Sequence, residues 1–312
     1  MTDLAAIFDF PAITELHRTR TQSIGATLHA TTTSPLDLTH PALAYALAHH
    51  CLEGAEHAAR QRDSRQFRWY RDSFTKAPQR WLESTTHGPT VIQAPPAQLL
   101  LRSELAETPY YLLSPETQPA STQLTRLTSE ALDIAHDCGF GALVSRHAPV
   151  VCLLQAKDPT GTLDSWTISR LPGTVFLDYT GDPYLLARDI IHEASHNWLN
   201  DALAATGTVI ADSAGYYSPW KRTTRPAFGF LHACWAFPLT MLFSAAASTA
   251  PQTPPPTREH LRTYTHQQHA KLSATATDHP HALALIDDRE LRGRLHEIHT
   301  TALHLEPVDT GA

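Results

Sequence analysis

The chain has 312 residues, 42% of them apolar and 18% charged. That is enough to bury a sizeable core, and it excludes a disordered chain or a coiled coil. The net charge of -7 comes with no basic stripe, which speaks against a nucleic-acid binder, and Cys51, Cys138, Cys152 and Cys234 form no CxxC pair, which speaks against a cysteine zinc site or a disulfide framework.

The N-terminal stretch holds Asp3 and Asp9 and has no basic start, so it does not read as a secretory signal. A short helical pattern surrounds 13–19. Pro41 suits the first position of a helix over 41–62, and a second helical stretch is expected over 64–76. Residues 84–120 mix Pro, Thr and Ser with short apolar pieces and read as irregular. Residues 122–138 look helical. The texture then changes: 142–154 and 174–179 are β-like, punctuated by Gly141, Gly161 and Pro172-Gly173.

Asp182-Pro183 opens a strong helix, with Asp as N-cap and Pro at the first position, running to about Ala205 with Gly207 as its stop. A loop of about 20 residues follows, long enough to suggest function. The stretch 226–250 carries no charge and is long enough to span a bilayer. It also holds His232, Pro238 and several hydroxyl side chains, so it reads as a buried core helix within a soluble, cytoplasmic protein. Residues 251–256 form a proline-rich turn, and two polar helices close the chain over 258–275 and 281–305. The expectation is one catalytic domain over 1–312 of α+β class, mostly helical. It comprises a helical part (1–140), a metal-site core (141–250) with a small sheet beside the two central helices, and a C-terminal helical pair (257–305).

The chemistry concentrates in His192-Glu193-Ala194-Ser195-His196, an H-E-x-x-H. Histidines four apart share one helix face and can reach one metal ion, and Glu193, about 100° to the side, can address a metal-bound water. Twenty histidines make chance patterns common, so the capped helix and the β-like segment before it matter as context. No Asp or Glu occurs between Ser213 and Pro256, so the following helix cannot supply the third ligand of a thermolysin-like zinc site. Leu199 and Ala202 break the longer H-E-x-x-H-x-x-G-x-x-H pattern. Asp201, Asp212 and His232 remain. Asp201 is turned away from the histidine face, whereas His232 is the only ionisable group on its face of an uncharged helix, and is preferred over a merely packed histidine. The cluster Lys221, Arg222, Arg225 stands just before that helix, where an arginine could clamp the carboxylate of a bound dicarboxylate. His266, His269, His281 and the His296–His299 pair read as polar helix faces.

HEASHNWLND followed by YYSPWKRTTRPAFGFLHACWAF resembles the H-E-x-x-H family of peptide-modification proteins encoded in bacterial gene clusters for ribosomal peptides. In that family the H-E-x-x-H helix precedes a segment like YYxPWRxDPRPxxGLLHGxYAF. Tyr216, Tyr217, Pro219, Trp220, Arg225, Pro226, Gly229, Leu231, His232, Ala236 and Phe237 match it; Lys221, Thr223 and Thr224 stand where the family has Arg, Asp and Pro. The resemblance covers 171–237. It implies an Fe(II)- and 2-oxoglutarate-dependent hydroxylase that uses O2 to oxidise an unactivated carbon, the β-carbon of a residue in a peptide or amino-acid substrate. On that reading His192, His196 and His232 hold iron. Arg225 meets the 2-oxoglutarate carboxylate, with Arg222 or Lys221 behind it, and Glu193 orients a ligand or a water. The alternative is a zinc peptidase or other hydrolase with Glu193 as general base.

Overall fold

The computed structural model describes residues 3–28, 39–73, 81–103, 106–158, 163–211 and 214–305. The fold is α+β and mostly helical. Helices α1 (Leu4–Phe8), α2 (Pro11–Thr27), α3 (Pro41–Arg60) and α4 (Ser64–Ser73) open the chain. The last three expected residues of the 64–76 helix lie outside the described residues.

Residues 84–120 are irregular only in part: 111–120 carry no helix or strand, but the stretch before them does. They hold most of the hairpin β1 (Leu82–Thr85) and β2 (Gly88–Gln93), then the pair β3 (Leu101–Ser103) and β4 (Ala106–Tyr110). The β1–β2 turn is made by Gly88 at φ +119°, a conformation glycine adopts freely, and by the Thr85 hydroxyl donating to the Gly88 carbonyl at 2.6 Å. Pro89 is tolerated because the parallel pairing of β2 with the next strand begins only at Val91.

Helix α5 (Thr122–Asp137) follows, capped by the Ser121 side chain. The β-like reading of 142–154 is corrected in its first half: Gly141–His147 is helix α6, and strand β5 starts at Val150 (Val150–Ala156). A short buried apolar run such as Leu143-Val144 does not distinguish helix from strand by periodicity, and the fold decides. Strands β6 (Ser165–Trp166) and β7 (Thr174–Tyr179) complete a five-stranded mixed sheet of order β1-β2-β5-β7-β6. The parallel pairs β2/β5 and β5/β7 form its centre, with antiparallel edges.

The H-E-x-x-H helix, α7, spans Pro183–Ala205. The Asp182 carboxylate accepts from the Tyr184 N–H at 2.8 Å, and Gly207 at φ +64° ends the turn beyond it. The loop after α7 holds a hairpin, β8 (Gly215–Ser218) and β9 (Thr223–Pro226), so Arg225 sits on a strand rather than on the next helix. Helix α8 (Ala227–Thr249) runs unbroken through Pro238. It is long and apolar enough to cross a bilayer, yet most of it is buried inside the fold, as expected for a core helix that is apolar all round. Helix α9 (Pro255–Ser273) begins within the proline run, and the last expected helix is two, α10 (His279–Leu283) and α11 (Arg289–Leu303).

Helices α7 and α8 pack against each other at the centre. The Trp198 and Trp235 rings stack with centroids 4.6 Å apart, and the Trp235 indole N–H donates to the Ser195 carbonyl at 3.0 Å. The Asn197 amide donates to the carbonyls of His147 (2.9 Å) and Thr174 (3.2 Å), tying α7 to α6 and the sheet. The core around this pair takes side chains from Ile7 to Ile298.

Three histidines far from the motif make this fold acid-sensitive. Burial pushes His50 down to about 3; burial with His299 and His296 pushes His279 to about 2; and burial with His296 pushes His299 to about 4. They stay neutral in the folded chain, while the unfolded chain takes up protons below about pH 6.5, so stability falls as pH drops. Each contributes on the order of 1–2 kcal/mol of loss at pH 5. Glu193, raised to about 8 mainly by burial, and Glu53, also raised by burial, act with the opposite sign but are outnumbered by the histidines. The urea midpoint of the metal-free protein is expected to be clearly lower at pH 5 than at pH 7; equal midpoints would contradict this.

Candidate metal centre

His192 and His196 are half-buried on one face of α7, one turn apart, with facing Nε2 atoms at 3.2 Å. His232 comes from the second turn of α8 and is 8% exposed. Its Nδ1 lies 3.0 Å from Nδ1 of His196, so His196 stands between the other two and presents one nitrogen to each. The three sequence-expected ligands are thus neighbours. His192 and His196 offer a pair to one ion directly; His232 has to turn its ring to join them, because it faces the other edge of His196.

All three imidazoles are held neutral. Burial pushes His192 down to about 4, with Arg188 and Lys221 adding to it. Burial puts His196 and His232 well below the usual histidine range, helped in both cases by Arg225. A neutral imidazole is the form that ligates a metal. Nε2 of His232 is buried with no hydrogen-bond partner, and so is Oε2 of Glu193. Such orphans are costly unless something binds them. The donor set is rich in nitrogen, which suits Zn(II) or Fe(II).

Glu193 is buried at the sheet edge. Its Oε1 accepts from the Ser165 hydroxyl on β6 at 2.6 Å. One carboxylate oxygen of Glu193 and one nitrogen each of His192 and His196 lie within 4.8 Å of one another. Arg225 is half-buried and folds back over Gly229: a Cβ there would stand 2.9 Å from the Arg225 Cζ, and Nη1 donates to the Gly229 carbonyl at 3.4 Å. The glycine leaves room for that approach. Lys221 is exposed but close enough to His192 to depress it. Arg222 is exposed at φ +53° in the hairpin turn and makes no described contact with the histidines.

Aromatic rings wall the site. Trp220 stacks on Phe237 with centroids 4.6 Å apart and donates its N–H to Gln268; Phe237 packs edge-on against His192, and Phe228 lies 4.3 Å from His232. Tyr216 packs on Phe230, Trp198 is in the core, and Tyr217 is exposed. Asp201 faces away from His192 and His196, as its helix position requires, and Asp212 lies outside the described residues. In the C-terminal helices, His269 faces the Leu303 carbonyl and His299 faces Thr275, so both are engaged locally.

Two residues escaped the sequence reading. Ser165 has no local signal, since only the pairing of β6 with β7 brings it to Glu193. Arg188 did have one: it stands one turn before His192 on the same face. Buried beside Asp189 at 2.8 Å and 4.7 Å from the Tyr264 ring centre, it adds positive charge near His192. No family model and no curated protein matches this chain.

Proposed function

We propose that the chain is an Fe(II)- and 2-oxoglutarate-dependent oxygenase that acts in the cytoplasm and hydroxylates an unactivated carbon of a peptide or amino acid. The observation that carries this reading is the pairing of three neutral imidazoles with a cation: Arg225 lies near enough to depress both His196 and His232. A dianionic cosubstrate needs both, a metal for one end and a guanidinium for the other. The resemblance of 171–237 to the peptide-modification family points the same way.

His192, His196 and His232 would hold the iron. When bound, iron with 2-oxoglutarate and O2 supplies C–H oxidation, the 2-oxoglutarate ending as succinate and carbon dioxide. The chain's own residues do the rest. Arg225 grips the far carboxylate with its planar fork, and Lys221 adds long-range attraction at the exposed rim. Ser165 fixes Glu193, whose free Oε2 can then hydrogen-bond a water or a ligand group. Phe228, Phe237 and Trp220 exclude water. The sheet ends at β6, beside Glu193, and an extended peptide can pair with such an edge.

The test needs no substrate. Anaerobic protein given Fe(II) and 2-oxoglutarate is expected to develop a weak visible charge-transfer band. Arg225→Ala should weaken 2-oxoglutarate by at least about tenfold, a bidentate charged contact. Gly229→Ala should mimic it, because the added methyl displaces the guanidinium. An unchanged 2-oxoglutarate titration in both variants would remove Arg225 from the clamp.

One observation favours a second reading, a zinc hydrolase: the Glu193 carboxylate lies with His192 and His196 and keeps one oxygen free, as a general base on a metal-bound water would. No band, tight zinc binding and a peptidase activity lost in Glu193→Gln would establish it instead.

A further inference from the structure

On the opposite side of α7 from the histidine pair, Asp201 is buried against two other histidines. We propose that His17, His147 and Asp201 form a second metal site, for a divalent zinc-class ion, that ties the N-terminal helices to the core.

The three residues come from three elements, α2, α6 and α7. His17, His147 and Asp201 are 6%, 1% and 3% exposed. Their ligand atoms all lie within 4.8 Å of one another. Oδ2 of Asp201 is 2.8 Å from Nε2 of His17 and 3.4 Å from Nδ1 of His147. The first distance is a hydrogen bond. The second is at the outer limit of one and poorly aligned, so the buried His147 Nδ1 makes no well-formed hydrogen bond. A purely hydrogen-bonded cluster leaves that nitrogen poorly satisfied, which is costly for a buried polar atom. An ion at the shared focus removes the cost: metal–ligand bonds of about 2.0–2.1 Å at a tetrahedral centre separate neighbouring donors by roughly 3.3 Å, close to the His147–Asp201 spacing.

The surroundings support the donors. The other Asp201 oxygen, Oδ1, accepts from the Tyr45 hydroxyl at 3.3 Å, and the Tyr45 ring stacks on His17 at 3.9 Å. Such outer partners hold ligands in orientation. The Asn197 amide grips the backbone carbonyl of His147 and fixes the base of that side chain. A cavity of about 250 Å³, lined by His17, His147, Phe10, Ile13, Pro41 and Arg146, provides an entry path and room for a water as fourth ligand. Two imidazoles and one carboxylate suit zinc better than calcium or magnesium. His17 and Asp201 are 184 residues apart, so an ion bridging them closes most of the chain into one loop.

The test is made where the H-E-x-x-H centre has been removed, so its result is independent of the oxygenase reading. The full chain carrying His192→Ala and His196→Ala is stripped with chelator and titrated with zinc, with bound metal measured by mass spectrometry. One tightly held equivalent and a rise in Tm of several degrees are expected. Adding His17→Gln or Asp201→Asn should weaken that zinc by at least about 100-fold. Far-UV circular dichroism of each variant checks folding, and if Asp201→Asn fails to fold, His17→Gln, on the peripheral helix, gives the answer. No zinc bound in the double variant, or zinc bound equally well without His17, overturns the proposal.

Discussion

His232→Ala is expected to abolish tight Fe(II) binding while leaving the fold intact. The side chain lies on the side of α8 that meets His196 and packs against Phe228; its Nε2 is unpartnered, so truncation gives up the Nδ1 contact with His196 but no hydrogen bond from Nε2. Loss of one of three ligands should weaken iron by roughly a thousandfold, on the order of 4 kcal/mol. Calorimetric titration of anaerobic protein, beside a urea melt of the metal-free form, separates the two effects. Retained full affinity would remove His232 from the ligand set. Asp201 could not replace it, because that carboxylate points to the other side of α7, towards His17 and His147. Asp212 would then be the remaining candidate.

The largest loss of stability is expected from Trp235→Ala. This ring is 1% exposed, stacks on Trp198, meets Phe8 edge-on and holds the Ser195 carbonyl through its N–H. Truncation removes the area and leaves a cavity between the two helices that carry the metal ligands, at a cost of about 3–5 kcal/mol. Trp235→Phe keeps much of the stack and loses the hydrogen bond, at about 1–2 kcal/mol. Urea unfolding of both variants tests the ordering. Near-equal losses would mean that the hydrogen bond, and not the ring, carries the contact. Trp235→Ala should also weaken metal binding, since the stack sets how α7 and α8 face each other. That coupling distinguishes it from an equally buried change such as Leu261→Ala.

The central helices were legible in the chain because their signals are local. Asp182-Pro183 caps α7 and Gly207 ends it, and the missing charge between Arg225 and Arg258 marks α8 as buried. The closeness of His192, His196 and His232 follows from spacing on the first helix and from packing of the second. What the chain hid depends on distant partners. The β1–β2 hairpin looked irregular because Ser, Thr, Gly and Pro make up half of it, and the strand character of β2 is fixed by its pairing with β5. Residues 142–147 looked like strand because a short apolar run satisfies either period. Arg225 was expected near the start of a helix and sits in β9; the turn at 219–222 that pairs Tyr216 with Arg225 has no Gly, Asn or Asp to signal a hairpin. The ring orientation of His196, and the gathering of His17 and His147 around Asp201, are tertiary facts with no local signature.

Helix α7 carries different cargo on its two sides. Its 23 residues rise about 35 Å, with His192 and His196 on one side and Asn197 and Asp201 on the other. Substitutions along it change one side at a time. A single inserted or deleted residue between His196 and Asp201 does not: it turns everything beyond it by about 100° and slides it by about 1.5 Å. Asp201 would then leave His17 and Tyr45 while the H-E-x-x-H pair stayed in register. Among relatives of this chain, the five-residue spacing from His196 to Asp201 should therefore tolerate changes of residue type far better than changes of length.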